Sequence, residues 1–388
     1  MIRITKVGAI DRTYSGFGGR TLEVKRTSSP SFSTPTRPIS VPELSSKQFL
    51  GFNELLGGHL SAVQIDIKGE RYKSFMRKNG AVIDARRRMT RFSDVSCCAE
   101  NFAVLDVSPV DSSNEYALKL FLDMQVKIKT LKYISLPPIE TNRLAEMKSI
   151  LRWWAKDAEL FGKGIVPQVS IDDPPDLFRS KLRFLTELAE SDEFPIVNLV
   201  YANPDTHPHQ YATVWEQREK RVLFNCSGVP SGGRFITPGL GESPIIAIQR
   251  YGIDTYTRRT STMNPKYYVW LQHQPAPMSI DEIDDANWQY HPGAAVLEWR
   301  IWESLPSEHV QCRCKLCRGR NQGEIIDEYC HDDQGTIVKN GLNYASKLHD
   351  SLSSEMEYAK VKRMITSNEM ATYARDAINY RNTRLRPT

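Results

Sequence analysis

Ser61-Ala-Val-Gln-Ile-Asp-Ile67 and Phe102-Ala-Val-Leu-Asp-Val-Ser108 decide the fold, because each is a short apolar, β-branched run bounded by helix-like sequence. Such runs read as parallel strands buried on both faces. Upstream, Pro38-Ile-Ser-Val41 has the same character. Downstream come Leu131-Lys-Tyr-Ile-Ser-Leu136, Val166-Pro-Gln-Val-Ser-Ile-Asp172 and Ile196-Val-Asn-Leu-Val-Tyr-Ala202. Arg221-Val-Leu-Phe-Asn-Cys-Ser227 and Gly252-Ile-Asp-Thr-Tyr-Thr257 complete a set of eight. Between them, 114–130 places Leu118, Phe121, Leu122 and Val126 at helical spacing, and 140–162 does so with Leu144, Met147, Ile150, Leu151 and Trp154. Eight βα units predict an α/β protein built as a closed (β/α)8, TIM-like barrel rather than an open doubly wound sheet. No G-x-G-x-x-G follows any of the runs, which counts against a dinucleotide-binding fold.

Two regions lie outside the repeat. Residues 1–35, with Gly16, Gly18, Gly19 and the alternating Thr21-Leu-Glu-Val-Lys25, predict an N-terminal β-hairpin closing the bottom of the barrel. Residues 264–388 hold an acidic loop, a cysteine cluster and a helical tail. The expected organisation is therefore hairpin plus barrel over 1–263, then a zinc-binding insertion and C-terminal helices that complete the barrel over 264–388.

The cysteine cluster is Cys312-Arg-Cys314-Lys-Leu-Cys317. Three thiolates and one imidazole close a tetrahedral cage with no open position, so the expected cofactor is structural Zn2+ rather than a catalytic metal. From spacing alone the fourth ligand is open between Cys330, His331 and His349.

Composition sets outer limits. At 388 residues the chain can bury a large core, and 40% hydrophobic with 25% charged residues is ordinary for a globular protein. No run of eighteen apolar residues exists, so no membrane span is expected. The opening Met1-Ile-Arg-Ile-Thr-Lys6 lacks the apolar core of a signal peptide, and seven cysteines cannot all pair within one chain, which points to a reducing cytoplasm. A net charge of +5 permits an anionic partner without requiring one.

In such barrels chemistry collects at the C-terminal ends of the strands. Those ends carry Asp66, Asp106, Ser135, Asp172, Asp173, Asn203, Ser227, Gly228 and Asp254. Converging carboxylates suit a reaction that needs a nucleophile and an acid or base, such as cleavage of a glycosidic bond. An aspartate after a strand also caps the next helix, and capping is the better reading for Asp172 and Asp173, which precede Pro-Pro. Asp106 is followed by Val-Ser-Pro-Val and is poorly placed to cap, so function is the better reading there.

Together these residues resemble the tRNA-guanine transglycosylase superfamily. The C-x-C-x2-C…H cluster behind an eight-unit barrel is the first point of likeness. The stretch 27–36 resembles the family's "T-P-x-F-x-P-V" segment, and 234–254 its "R-Y-L-M-G-V-G…G-V-D-M-F-D" segment. Ser346-Lys-Leu-His349 with Glu355 resembles the helix that supplies the zinc histidine, and this co-linearity selects His349 over His331. The departures lie in the purine pocket. Asp106-Val-Ser-Pro-Val stands for "D-S-G-G-x-Q", Ser135 for a base-recognising aspartate, Val200-Tyr-Ala-Asn203 for "V-Q-G-G", and Thr257 for the attacking aspartate of "F-D-C". That combination is similar to the DNA-guanine transglycosylase branch, found in bacteria and their viruses.

The resemblance implies exchange of guanine in DNA for a free 7-deazaguanine, such as the 7-cyano form, through a covalent aspartyl-glycosyl intermediate. It makes Asp106 the general acid/base, and Asp254 becomes the nucleophile if the last strand's register has moved. Asp106 is the remaining candidate to attack should Asp254 be structural. Asn203, Ser227, Gly228 and Tyr201 are the base-binding candidates, and Ser227-Gly228-Val229 resembles the family's "G-G-L/V" turn. Nucleic-acid contacts are expected from Arg86, Arg87 and Arg88, from Arg258 and Arg259, and from Arg313, Lys315 and Arg318. The resemblance also implies pairing of two copies through the zinc region. A tRNA enzyme and an inactive nucleic-acid-binding subunit of the same fold are the alternatives.

Overall fold

The computed structural model describes residues 2–11, 19–27, 31–36, 38–40, 60–95, 100–190, 194–204, 206–229, 251–258 and 358–372. Strands β1 (Ile2–Ile10) and β2 (Arg20–Arg26) pair antiparallel, and β2 also pairs antiparallel with β3 (Phe32–Ser33). The main sheet begins with β4 (Ile39–Ser40) and β5 (Ser61–Asp66), followed by helices α1 (Glu70–Arg77) and α2 (Asn79–Val95). It continues with β6 (Asn101–Asp106), a short β7 (Val110–Asp111), α3 (Glu115–Val126), β8 (Tyr133–Leu136), a short β9 (Ile139–Glu140) and α4 (Leu144–Glu159). Then come β10 (Gly164–Ser170), α5 (Pro175–Glu190), β11 (Ile196–Val200), α6 (Pro208–Glu216), β12 (Leu223–Val229) and β13 (Thr255–Arg258). Among the described residues no helix is long and apolar enough to cross a membrane.

Eight strands form one sheet in the order β13-β12-β11-β10-β8-β6-β5-β4, with every neighbouring pair parallel. The sheet curls: β6 and β12, four strands apart in that order, approach each other across its interior. The segments leading into its two edge strands meet where the Thr36 amide donates to the Asp254 carbonyl at 3.1 Å. This is a (β/α)8-like barrel, and its eight strands fall on the eight runs read from the sequence.

Alternation along each strand sorts side chains to two sides. Val63, Ile65, Ala103, Leu105, Ile134, Val169, Val197, Leu199, Phe224 and Cys226 pack outward against the helices. The helices answer with stripes at helical spacing, such as Leu118, Phe121 and Leu122 on α3 and Met147, Ile150, Leu151 and Trp154 on α4. Asn114 caps α3, its side chain accepting from the Ala117 amide at 3.1 Å.

The inward face is apolar mainly at the bottom. There Ala62, Phe102, Tyr133, Val166, Ile196 and Leu223 meet Ile2, Ile4, Leu22 and Val24 of the β1–β2 pair, which plugs the strands' N-terminal ends. The Tyr133 hydroxyl accepts the Ile2 amide proton. Gly164 sits so close to that ring that a Cβ there would lie 2.5 Å from it, which is why the β8–β10 contact needs glycine. The helical residues 358–366 pack nearby. Tyr358 faces Tyr256 with ring centroids 6.4 Å apart, and the Met370 amide donates to Asp11 at 2.7 Å. The expected domain boundary near residue 263 lies outside the described residues.

Candidate active site

TIM-like barrels usually fill their interior with branched apolar layers. This one carries amides and hydroxyls above its apolar floor. Gln168, Asn198 and Asn225 are register neighbours on β10, β11 and β12, and all three are buried. The Asn198 amide donates to Gln168 Oε1 and to Ser227 Oγ, each at 2.8 Å, and Asn225 Nδ2 donates to Asn198 Oδ1 at 2.6 Å. Thr257 donates to Asn225 Oδ1 at 3.4 Å. Gln168, Asn198 and Asn225 are thus bonded to one another across β10, β11 and β12, as a buried polar network must be if it is not to cost stability.

Gln168 also spans a seam. Beyond Phe102–Tyr133, strands β6 and β8 stop pairing. The Leu105 amide donates to Gln168 Oε1 at 3.3 Å, and its carbonyl accepts from Gln168 Nε2 at 3.0 Å. On the other lip, the Ser135 amide donates to Gln125 Oε1 at 2.8 Å and its carbonyl accepts from Gln125 Nε2 at 3.0 Å. Two carboxamides therefore replace the missing ladder, one from inside the barrel and one from α3. Above the seam, β7 and β9 pair in parallel and close its upper end.

At the mouth, Asp66 and Asp106 are register partners at the ends of β5 and β6. Both stand on the inward face set by Ala62, Phe102 and Val104. Lys68 is ion-paired with Asp106, whose side chain is 10% exposed, and Arg71 reaches Asp66 at 2.9 Å. Two carboxylates thus share one lip of the barrel, each held by a cation from the segment after β5.

Asp254 is not part of that lip. It precedes β13 and therefore lies at the base, and it is fully buried. Arg20 grips it through Nε at 3.0 Å and Nη2 at 2.5 Å, the Phe224 amide donates at 2.8 Å, and Thr34 Oγ1 donates at 3.3 Å. Burial pushes its carboxyl above the ordinary range, against the pull of Arg20, the Phe224 amide and Thr34. With every lone pair engaged at the closed end, Asp254 anchors the β1–β2 pair to the barrel. The expectation that it attacks a sugar is corrected. At the position where the resemblance expects an aspartate, the Thr257 side chain is buried against Asn225.

The remaining candidates divide. Ser227 lies inside the barrel, bonded to Asn198. Gly228 forms a bulge between the Ser227–Thr257 and Val229–Arg258 pairs at φ +74°, a backbone shape that favours glycine. The Tyr201 amide donates to the Ser227 carbonyl at 2.8 Å, so Tyr201 leads into the rim loop after β11. Asn203 is exposed in that loop, where its carbonyl accepts from the Thr206 and His207 amides ahead of α6. Asp173 binds Lys181 at 2.9 Å, and Asp172 binds His207 at 3.3 Å. Arg86 donates to the Asp123 carbonyl at 2.9 Å, in the last turn of α3 and away from the mouth, while Arg88 pairs with Asp84 and Arg87 is exposed on the same helix. The structure does not bring Arg86, Arg87 and Arg88 to the carboxylate pair.

The Arg258 side chain, Arg259, Arg313, Lys315, Arg318, Cys312, Cys314, Cys317 and His349 lie outside the described residues. Among the described residues, no group of three or more His, Cys, Asp or Glu side chains is arranged to hold a metal ion.

Sequence reading passed over Gln64, Gln168, Asn198 and Asn225. The signal was present: each interrupts an apolar run at a position whose neighbours face the helices, so its own side chain must enter the barrel.

No family model matches the chain, and no curated protein matches it. Among solved structures, the tryptophan synthase α2β2 complex of Pyrococcus furiosus is similar at 11% identity and TM-score 0.32, covering 58% of this chain and 86% of that one. The tryptophan synthase A-subunit from the same organism is similar at 9% identity and TM-score 0.31, with the same coverage. At those values the likeness carries no argument about activity.

Proposed function

We propose that the chain is a base-exchange enzyme that replaces guanine in DNA with a 7-deazaguanine, with Asp106 as nucleophile and Asp66 as acid and base. The observation that supports this most is the pair itself. Neighbouring strands lie about 4.8 Å apart, and retaining glycosyl transfer places its two carboxyl groups about 5–5.5 Å apart. Register partners on one face of β5 and β6 fit that requirement.

An Asp106 oxygen forms a bond to C1′ while the bond from C1′ to N9 of guanine breaks, and Asp66 gives its proton to the departing base. The incoming base then loses its ring N–H proton to Asp66 and attacks C1′, and the Asp106 ester leaves as carboxylate. One difficult displacement becomes two easier ones. Lys68, ion-paired with Asp106, holds the attacking carboxylate in place. Lys68 and Arg71, at the rim, also place positive charge where a phosphate backbone would pass. A target within a duplex has to be turned out of the stack to reach the mouth.

Zinc belongs to the same proposal: Cys312, Cys314, Cys317 and His349 offer three thiolates and one imidazole, a closed donor set for a structural ion beside the basic residues of 312–320. Labelled guanine supplied with single-stranded DNA, duplex DNA or tRNA tests the function. Label entering DNA and not tRNA is the expected result. Label entering tRNA alone makes the chain a tRNA enzyme, and label entering neither overturns base exchange.

A further inference from the structure

Gln64 is the one inward side chain between Ala62 and Asp66 on β5, flanked by Val63 and Ile65, which pack outward. It is 7% exposed, and among the described residues its Nε2 has no hydrogen-bond partner. On β13, the fully buried Thr255 Oγ1 is also without one. Buried amides are nearly always paired, and leaving one bare costs stability. Gln168, Asn198 and Asn225 are by contrast knitted into one row. Gln64 stands outside that row, and it sits two residues, about 6.6 Å, below Asp66. A ring whose sugar carbon stands at the Asp66–Asp106 pair would extend down the barrel towards it.

We infer that the Gln64 carboxamide reads the edge of the exchanged base, donating to a ring carbonyl or ring nitrogen of the bound heterocycle. The inference rests on the base-exchange reading and adds a residue that no resemblance supplied. Binding supplies the acceptor that Nε2 lacks in the free protein, so the amide contributes selectivity rather than fold stability. A site built to hydrogen-bond its substrate also rejects analogues that lack the complementary group.

Gln64→Met keeps the length of the side chain and removes its polar atoms. Replacing an unsatisfied polar group by an apolar one of similar shape is neutral or stabilising, so the midpoint of thermal unfolding is expected to stay level or rise. Calorimetric titration with free guanine is expected to show affinity roughly tenfold weaker than wild type, with DNA binding unchanged. Gln64→Leu provides a second apolar variant should the first misfold. Wild-type guanine affinity in both variants, or a fall in stability with affinity intact, overturns the role of Gln64 and leaves base exchange standing. A wild-type protein that neither binds nor exchanges guanine overturns both.

Discussion

Two aspartates that look alike in the sequence do opposite work because they stand at opposite ends of parallel strands. Asp106 ends β6 beside Asp66 at the open mouth, whereas Asp254 precedes β13 and is held by four donors from Arg20, Phe224 and Thr34. Removing one partner of a buried ion pair strands the other charge, at about 3–5 kcal/mol. Asp254→Ala is therefore expected to lower unfolding stability by about that amount, read by urea denaturation. Asp106→Asn should leave stability nearly unchanged and abolish exchange, because a carboxamide does not form the glycosyl ester. The sequence misled at Asp254 for a definable reason. Gly252-Ile-Asp-Thr-Tyr-Thr257 reads as one apolar run, and nothing in it marks that the ladder begins only at Thr255. A shift of three residues in where a strand starts moves a carboxylate from the mouth to the floor.

Between strands, the seam of β6 and β8 is the element that shapes the mouth. Gln125 satisfies both backbone groups of Ser135 and Gln168 both of Leu105, so the two edges stand apart without orphaned amides. Gln125→Ala leaves the Ser135 amide and carbonyl bare, and a cost of about 1–3 kcal/mol per group is expected in chemical denaturation. An unchanged midpoint would mean that β8 has re-paired with β6. The lip over the seam is tied by Glu146, whose carboxylate accepts from Ser112 at 2.6 Å and Thr141 at 2.5 Å. Those hydroxyls, Ser112 first, hold Glu146 below its usual carboxylate range. A depressed acid stabilises the fold above its unfolded value, about 4.3, and the contribution is lost as pH falls through the folded value. Amide exchange at Val110 and Ser112 is thus expected to quicken below about pH 4 relative to amides of β10. A uniform change across both regions would contradict this.

At the scale of the whole molecule, the eight parallel strands were legible because burial on both faces leaves an unbroken apolar run that few other elements produce. On β2, Leu22 and Val24 alternate with the charged Glu23 and Lys25, which leaves that strand one buried face. The interior was harder to read. A single Asn or Gln inside a run, such as Asn198, can be assigned to the interior by alternation, but its partners emerge only when Gln168, Asn198 and Asn225 fall into one register row. The same holds for Asp66 and Asp106, which lie forty residues apart in the chain yet side by side in the sheet. Beyond the barrel, purified protein is expected to carry one zinc per chain by elemental analysis, falling when Cys314→Ser opens the proposed cage. Metal-free protein of undiminished stability would remove that part of the proposal.

The most direct measurement is nucleoside mass spectrometry of DNA from cells that make a 7-deazaguanine base and express this chain, set beside Asp106→Asn. A 7-deazaguanine deoxynucleoside with the wild type and none with Asp106→Asn is the outcome predicted here. DNA of the same composition with wild type, variant and empty vector would contradict it.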